Sequence, residues 1–311
     1  MKGRVIRSTG SWYQVETKEL KIYDCKLRGQ FKIKGIKSTN PIAVGDWVEF
    51  DWEEKRQTAI IHKIEDRHNY IVRRSVNLSK RSHIIAANID QALLVVTITQ
   101  PRTSQGFIDR FLVTSEAYHI PCVLVFNKID IYSKEDKIAL QNMKSVYEKI
   151  GYQCIEVSAH TGANLVDLKG IMKDQVSLVS GHSGVGKSAL INALDPDKDI
   201  RIGDISDTHN KGKHTTTFAE MHYLSFGAHI IDSPGIKEFG LFDFDKYQLS
   251  HYFPEMQNIR NECKFNNCSH EHEPGCAIKQ AVEAHKIDPN RYGNYLNMLR
   301  GEDMNLVDYD S

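Results

Sequence analysis

Residues 181–188 read GHSGVGKS, the pattern G-x-x-x-x-G-K-[S/T], placed after the apolar run VSLVS and before SALINAL. The glycines Gly181, Gly184 and Gly186 let backbone N–H groups close around phosphate oxygens, with His182, Ser183 and Val185 completing the loop. Lys187 can reach β- and γ-phosphates, and the Ser188 hydroxyl can ligate Mg²⁺. DSPG at 232–235 ends a second apolar run. There Asp232 can hold Mg²⁺ through water and the Gly235 amide can sense a γ-phosphate, although D-x-x-G taken alone is usually a turn. Between the two, NKGKHTTT at 210–217 offers threonines for a switch over Mg²⁺ and the γ-phosphate, Thr216 first and Thr215 second. NKID at 127–130 supplies Asn127, Lys128 and Asp130. A carboxylate can accept both N1–H and N2–H of guanine, a donor pair that adenine lacks, so this set selects GTP and GDP over ATP; the plainer alternative is a helix entry capped by Asp130. SAH at 158–160 adds Ser158 and Ala159, whose backbone can meet guanine O6.

A separate constellation lies near the other end. CKFNNCSHEHEPGC places Cys263, Cys268, His270 and Cys276 as C-x4-C-x-H-x5-C. Three thiolates and an imidazole form a closed structural zinc set, one ion per chain, able to replace a core that so short a segment lacks. A buried thiol cluster is the rival reading, and His272 is a competing ligand at a less convincing spacing.

These residues need elements to hold them. QALLVVTI, PCVLVFNKID, QCIEVSAH, VSLVSGHSGVGKS and AHIIDSPG are continuous apolar runs between helical segments, the pattern of a parallel sheet covered on both faces. Every polar motif falls where a run ends, which is the ligand edge of an open α/β sheet. Ahead of them, KGRVIRS, WYQVET, KIYDCKLRG, GDWVEFDW and TAIIHKI read as five short strands of an OB-like β-barrel. Arg4, Arg7, Trp12, Tyr13, Lys26, Arg28, Phe31 and Lys32 interleave charge and rings there as a nucleic-acid platform would, whereas Trp12, Trp47 and Phe31 could equally be barrel core. Behind them, CAIKQAVEAHK and PNRYGNYLNMLRG read as helices around the cysteine knot. The expected organisation is multidomain α/β: an OB-fold over 1–71, a nucleotide domain over 72–240 and a helical zinc-binding domain over 241–311.

The order of motifs is unusual. Base readers come first, then the phosphate loop, then the switches, whereas a conventional small GTPase runs from phosphate loop to switches to base readers. Joining neighbouring termini and opening the chain elsewhere produces that rotation without changing the site, so the domain is expected to be circularly permuted.

Composition sets the surroundings. The 311 residues are 41% hydrophobic and 26% charged, with equal numbers of acidic and basic residues, as in an ordinary globular chain. Residues 1–74 hold 16 Lys/Arg against 10 Asp/Glu, so the front is basic, suited to a phosphate backbone or simply a solvated surface with uneven lysine. Residues 240–311 hold 7 against 12. No stretch has the length of a membrane span and no apolar run follows the basic N-terminus, which implies a cytoplasmic protein.

The motifs NKID, SA, GHSGVGKS, HTTT and DSPG in this order, with an OB-like front and CKFNNCSHEHEPGC behind, resemble the RsgA family of ribosome small subunit-dependent GTPases over the whole chain. The resemblance implies GTP hydrolysis stimulated by the small (30S) ribosomal subunit during late maturation and binding to 16S ribosomal RNA with the OB-like and zinc regions both taking part; the chain is expected to be a monomer that uses Mg²⁺ and Zn²⁺. The acidic balance of 240–311 departs from an RNA-binding expectation and suits a protein contact or local RNA contacts. Ile236 stands where many small GTPases place a water-orienting glutamine. The missing group must come from elsewhere in the chain or from a partner; His214 is the nearest titratable candidate, a solvent-exposed switch histidine being the alternative. Two other classes of function remain in view: an RNA-binding module with a vestigial pocket, against which Asn127, Asp130, Lys187, Ser188 and Asp232 speak, and a translation or transport regulator.

Overall fold

The computed structural model describes residues 1–27, 41–54, 57–74, 82–197, 219–232 and 246–302. The front of the chain forms β1 (Lys2–Ser8), β2 (Tyr13–Thr17), β3 (Ile22–Leu27), β4 (Trp47–Glu53) and β5 (Thr58–Ile64). They pair in the order β1-β2-β3-β5-β4, and a β1–β4 pairing closes the barrel. Alternate side chains point inward along each strand. Val5, Tyr13, Val15, Cys25, Val48, Phe50, Ala59 and Ile61 make that core. Tyr13 is therefore core, while Trp12 is exposed with the Lys26 ammonium 4.2 Å from its ring centre, and the Arg4 guanidinium lies 4.5 Å from the Trp47 ring. Arg28, Phe31 and Lys32 lie outside the described residues.

A hairpin of β6 (Tyr70–Arg74) and β7 (Ser82–Ala87), not anticipated from the sequence, follows the barrel. The nucleotide domain then runs β8 (Gln91–Val96), α1 (Gln105–Ala117), β9 (Cys122–Phe126), α2 (Lys134–Ile150), β10 (Gln153–Glu156), α3 (Leu165–Met172), β11 (Val176–Ser180), α4 (Lys187–Leu194), β12 (Glu220–Leu224) and β13 (Ala228–Asp232). β10-β9-β8-β11-β13 are parallel neighbours, as the apolar runs predict. Period-two alternation divides them between two cores. Ala92, Leu94 and Val96 of β8 pack with Ile108, Phe111 and Leu112 of α1, whereas Leu93 and Val95 pack with Leu168 of α3 and Leu190 of α4.

The sheet does not stop at β13. β12 pairs with β13 antiparallel and then meets β1 through Arg7 and Glu220, so barrel and nucleotide domain share one eleven-stranded sheet. Other ties reinforce the joint. Gly45, at φ 94°, lies so close to Ala87 that a Cβ would stand 1.9 Å from its carbonyl oxygen, and Asn88 Nδ2 donates to the Gly45 carbonyl at 3.0 Å. Asp46, fully buried, accepts two hydrogen bonds from Arg67, each 2.6 Å long. His229 of β13 meets Glu16 of β2 at 3.1 Å.

The C-terminal part holds 3₁₀ turns at Lys246–Tyr252 and Arg260–Glu262, α5 (Pro254–Gln257), α6 (Ala277–Glu283) and α7 (Pro289–Arg300). α7, expected from PNRYGNYLNMLRG, begins with Asp288 accepting the N–H groups of Asn290 and Arg291, has Pro289 in its first turn, and stops at Gly301 in the left-handed region. Val113 of α1 packs with Leu249, Phe253, Tyr295 and Met298, so α1 lies between the sheet and these helices.

Beneath that contact lies a buried charge network. Arg291 and Asp109 are both 0% exposed. Arg291 Nη1 donates to Asp109 Oδ1 at 2.6 Å and its Nε to Glu255 Oε1 at 2.5 Å. Tyr147 OH and Asn294 Nδ2 donate to Asp109 at 2.7 and 2.6 Å. Burial raises the Asp109 carboxyl above its ordinary pKa even though Arg291 and its hydrogen bonds act the other way.

Candidate nucleotide site and cysteine cluster

All the nucleotide motifs within the described residues stand at the carboxyl ends of parallel strands. NKID follows β9, SAH follows β10, GHSGVGKS follows β11, and Asp232 is the last residue of β13. The chain moves outward from β8 to β9 in one direction and from β11 to β13 in the other, so the seam between β8 and β11 is the switch point at which such sheets bind ligands. The loop 181–186 opens above that seam, and Gly186, at φ +92°, caps α4. A Cβ there would lie 2.6 Å from Asn127 Nδ2, so glycine satisfies the backbone conformation and the close approach together.

Asn127 is buried and joins the three loops. Its Nδ2 donates to the Val185 carbonyl at 2.9 Å and its Oδ1 accepts from Ala159 N at 3.2 Å. Lys128, in the left-handed region, donates from Nζ to the Gln100 carbonyl at 2.6 Å. Asp130 is exposed in the 3₁₀ turn Ile129–Ile131, and one of its oxygens accepts the Ser158 hydroxyl at 2.5 Å. Ser158, fully buried, also accepts Thr161 N at 3.0 Å. The carboxylate is thus oriented from below while facing solvent, which suits it to accept two N–H groups from a planar edge.

Lys187 Nζ arches back over the loop and donates to the carbonyls of Gly181 and His182, each at 2.8 Å. Ser188 is the second residue of α4, where the helix N-terminus favours an anion. His182 packs on Phe107 of α1, ring centres 3.7 Å apart, and Gly184 lies against Pro101. Sequence reasoning missed both neighbours, because nothing local marks a ring or a proline as the support of a loop some 80 residues away. His214, Thr215, Thr216, Gly235 and Ile236 lie outside the described residues.

Cys263, Cys268, His270 and Cys276 are brought together, with their ligand atoms all within 4.8 Å of one another. His270 Nδ1 is 3.6 Å from Cys263 Sγ and 3.4 Å from Cys276 Sγ, and the two sulfurs are 4.0 Å apart. A tetrahedral zinc ion needs roughly 3.8 Å between sulfurs and roughly 3.6 Å from sulfur to nitrogen, so the donor set fits it. His272 does not join; its side chain is 83% exposed and faces Glu271. Glu273 holds the loop by accepting Ser269 N, Ser269 Oγ and Glu271 N. Burial opposes its charge, but these hydrogen bonds prevail and lower its pKa to about 2. Tyr292 and Tyr295 of α7 donate to the carbonyls of His270 and Ser269, both at 2.7 Å.

Residues 64–242 match the RsgA GTPase family and residues 2–61 match the RsgA N-terminal domain. The chain is 52% identical over 303 residues to small ribosomal subunit biogenesis GTPase RsgA 2 of Bacteroides thetaiotaomicron, covering 97% of both chains. It is 52% identical over 307 residues to small ribosomal subunit biogenesis GTPase RsgA of Christiangramia forsetii, covering 98% of both. Among solved structures it resembles YjeQ from Thermotoga maritima, with TM-score 0.80, 34% identity and coverage of 96% of this chain and 97% of that one. It also resembles YloQ, described as a circularly permuted GTPase, with TM-score 0.75, 28% identity and coverage of 97% and 94%. The rotated motif order is accordingly that of a permuted GTPase.

Proposed function

The chain belongs to the RsgA family of GTPases, and from that membership we propose that it hydrolyses GTP as a late-stage maturation factor of the small (30S) ribosomal subunit, binding 16S ribosomal RNA and stimulated by the subunit. The observation that carries this reading on the chain's own residues is the meeting of Asp130, Ser158 and the GHSGVGKS loop at one sheet edge. Asp130 accepts guanine N1–H and N2–H while Ser158 holds the carboxylate in place, and the SAH backbone that would meet O6 is anchored by Ala159 N–H donating to Asn127 Oδ1. Backbone N–H groups of 181–188 cradle the phosphates, and Lys187 offsets their charge. Ser188, Thr216 and Asp232 would hold Mg²⁺, which when bound neutralises the β- and γ-phosphate oxygens. Gly235 senses the γ-phosphate, and His214 or a partner group orients water in place of the side chain that Ile236 lacks.

The cysteine cluster holds one structural zinc ion, the exposed Trp12 with Lys26 belongs to the RNA-facing surface of the barrel, and the units span 1–71, 72–240 and 241–311. Among the described residues no helix is long and apolar enough to cross a membrane. We place the protein in the cytoplasm as a monomer. GTP turnover measured with and without purified small subunits tests the proposal. Slow turnover alone and a marked rise with subunits are expected. Unchanged turnover would remove the subunit as partner, and equal use of ATP would remove the base-reading assignment.

A further inference from the structure

Asn127 fixes the rear of the phosphate loop at Val185, while the front contains His182, whose ring lies on Phe107 with 3.7 Å between centres and a 31° tilt. Phe107 stands in the first turn of α1, two residues before Asp109. At about 100° per residue the two side chains leave the helix on faces about 160° apart. The face bearing Asp109 is gripped by Arg291 and Asn294 of α7, both bonded to the carboxylate at 2.6 Å. Gly106 lies beside the same contact, a Cβ there standing at ordinary van der Waals distance, 3.5 Å, from Asn294 Oδ1. α1 is therefore clamped on one side and bears on the loop with the other. Desolvation of the ring, then the charges of Lys187 and Arg110, lowers the His182 pKa, so the stacked imidazole is neutral at pH 7.

We propose that Phe107 is a positioning residue for the GTPase reaction: through His182 it fixes the front of the phosphate loop, and the Asp109–Arg291–Asn294 clamp from the C-terminal helices holds α1 where this contact can form. The proposal rests on the assignment of 181–188 as the phosphate loop. It makes nucleotide affinity depend on α7, a helix more than 100 residues further along the chain.

The test uses the full chain with Mg²⁺ and measures binding of GTP, GDP and ATP beside steady-state turnover. Phe107→Ala is expected to weaken GTP and GDP roughly 3- to 10-fold, the range of an aromatic contact of this kind. KM should rise with kcat little changed and the preference for GTP over ATP retained, because loop position affects ground and transition states alike. Phe107→Tyr should restore affinity and Phe107→Leu should not. Asn294→Ala, which loosens the clamp without stranding a buried charge, should weaken GTP binding in the parent and have no further effect in the Phe107→Ala background. Parental affinity in folded Phe107→Ala, or full rescue by leucine, overturns the positioning role; additive losses overturn the clamp. Lys187→Ala separates the two levels: if it leaves GTP affinity intact, the phosphate-loop assignment itself fails, whereas if it abolishes binding while Phe107→Ala has none of these effects, only the positioning role fails.

Discussion

Replacing Arg291 by methionine removes the cation from a site where it is 0% exposed and leaves two carboxylates behind, Asp109 at 0% exposure and Glu255 with its side chain at 10%. Breaking such a pair from one side costs about 3–5 kcal/mol, because the stranded charge has neither water nor partner. Burial already raises the Asp109 pKa, and Arg291 is the largest influence opposing that rise. In the variant Asp109 should therefore take up a proton on folding. A group whose folded pKa is raised loses stability as pH climbs from its unfolded pKa through its folded one, so the deficit against the parent should be smaller at pH 5 than at pH 8. All three tryptophans, at 12, 47 and 52, are in the barrel, so their emission serves as an internal control rather than as the probe. Hydrogen exchange of α1 and α7 amides is the assay, and 3–5 kcal/mol corresponds to roughly 150- to 5,000-fold faster exchange in these helices. Adding Asp109→Asn should recover part of the loss. Acceleration below about fivefold, equivalent to ~1 kcal/mol, or the same deficit at both pH values, would refute the account of the network.

Three further outcomes are expected. Asp130→Asn should shift preference from guanine to xanthine nucleotides, read by competition binding, with Ser158 still able to donate to the new side-chain oxygen. Metal analysis of protein purified without added zinc should give one zinc per chain, and chelation should loosen residues 246–302 more than the barrel; a stoichiometry near zero with reactive cysteines would remove the site. Binding to small subunits should weaken steeply with salt as counterions are released, and Lys26→Ala should reduce the slope of log K against log salt by about 1.

The legible part of the molecule was whatever is written over a few neighbouring residues. Apolar runs announced β8, β9, β10, β11 and β13, and the motifs at their ends announced the nucleotide edge. The segment PNRYGNYLNMLRG announced α7, which runs Pro289–Arg300. The spacing of Cys263, Cys268, His270 and Cys276 announced a cluster that the fold assembles. What escaped was set by tertiary contact. β12 is a short antiparallel strand held between its neighbour β13 and β1 from the far N-terminal end of the chain, and no apolar run or turn motif marks the β6–β7 hairpin. Arg291 reads as an ordinary exposed helical residue until Asp109, 182 positions earlier, is placed against it. Asn127 reads as a base contact, yet its amide joins three loops that only the permuted fold brings together.

The shared sheet has a mechanical consequence. A barrel attached by a linker could swivel and leave the nucleotide domain undisturbed. Here the hydrogen-bonded path runs from β2 through β1 and β12 to β13, with Glu16 and His229 braced across it and Gly45 seated on Ala87. Bending at that joint would shear backbone hydrogen bonds, so barrel and nucleotide domain should turn together as one stiff beam. A torque applied to the barrel surface then arrives at β13, the strand that ends in Asp232, through paired strands.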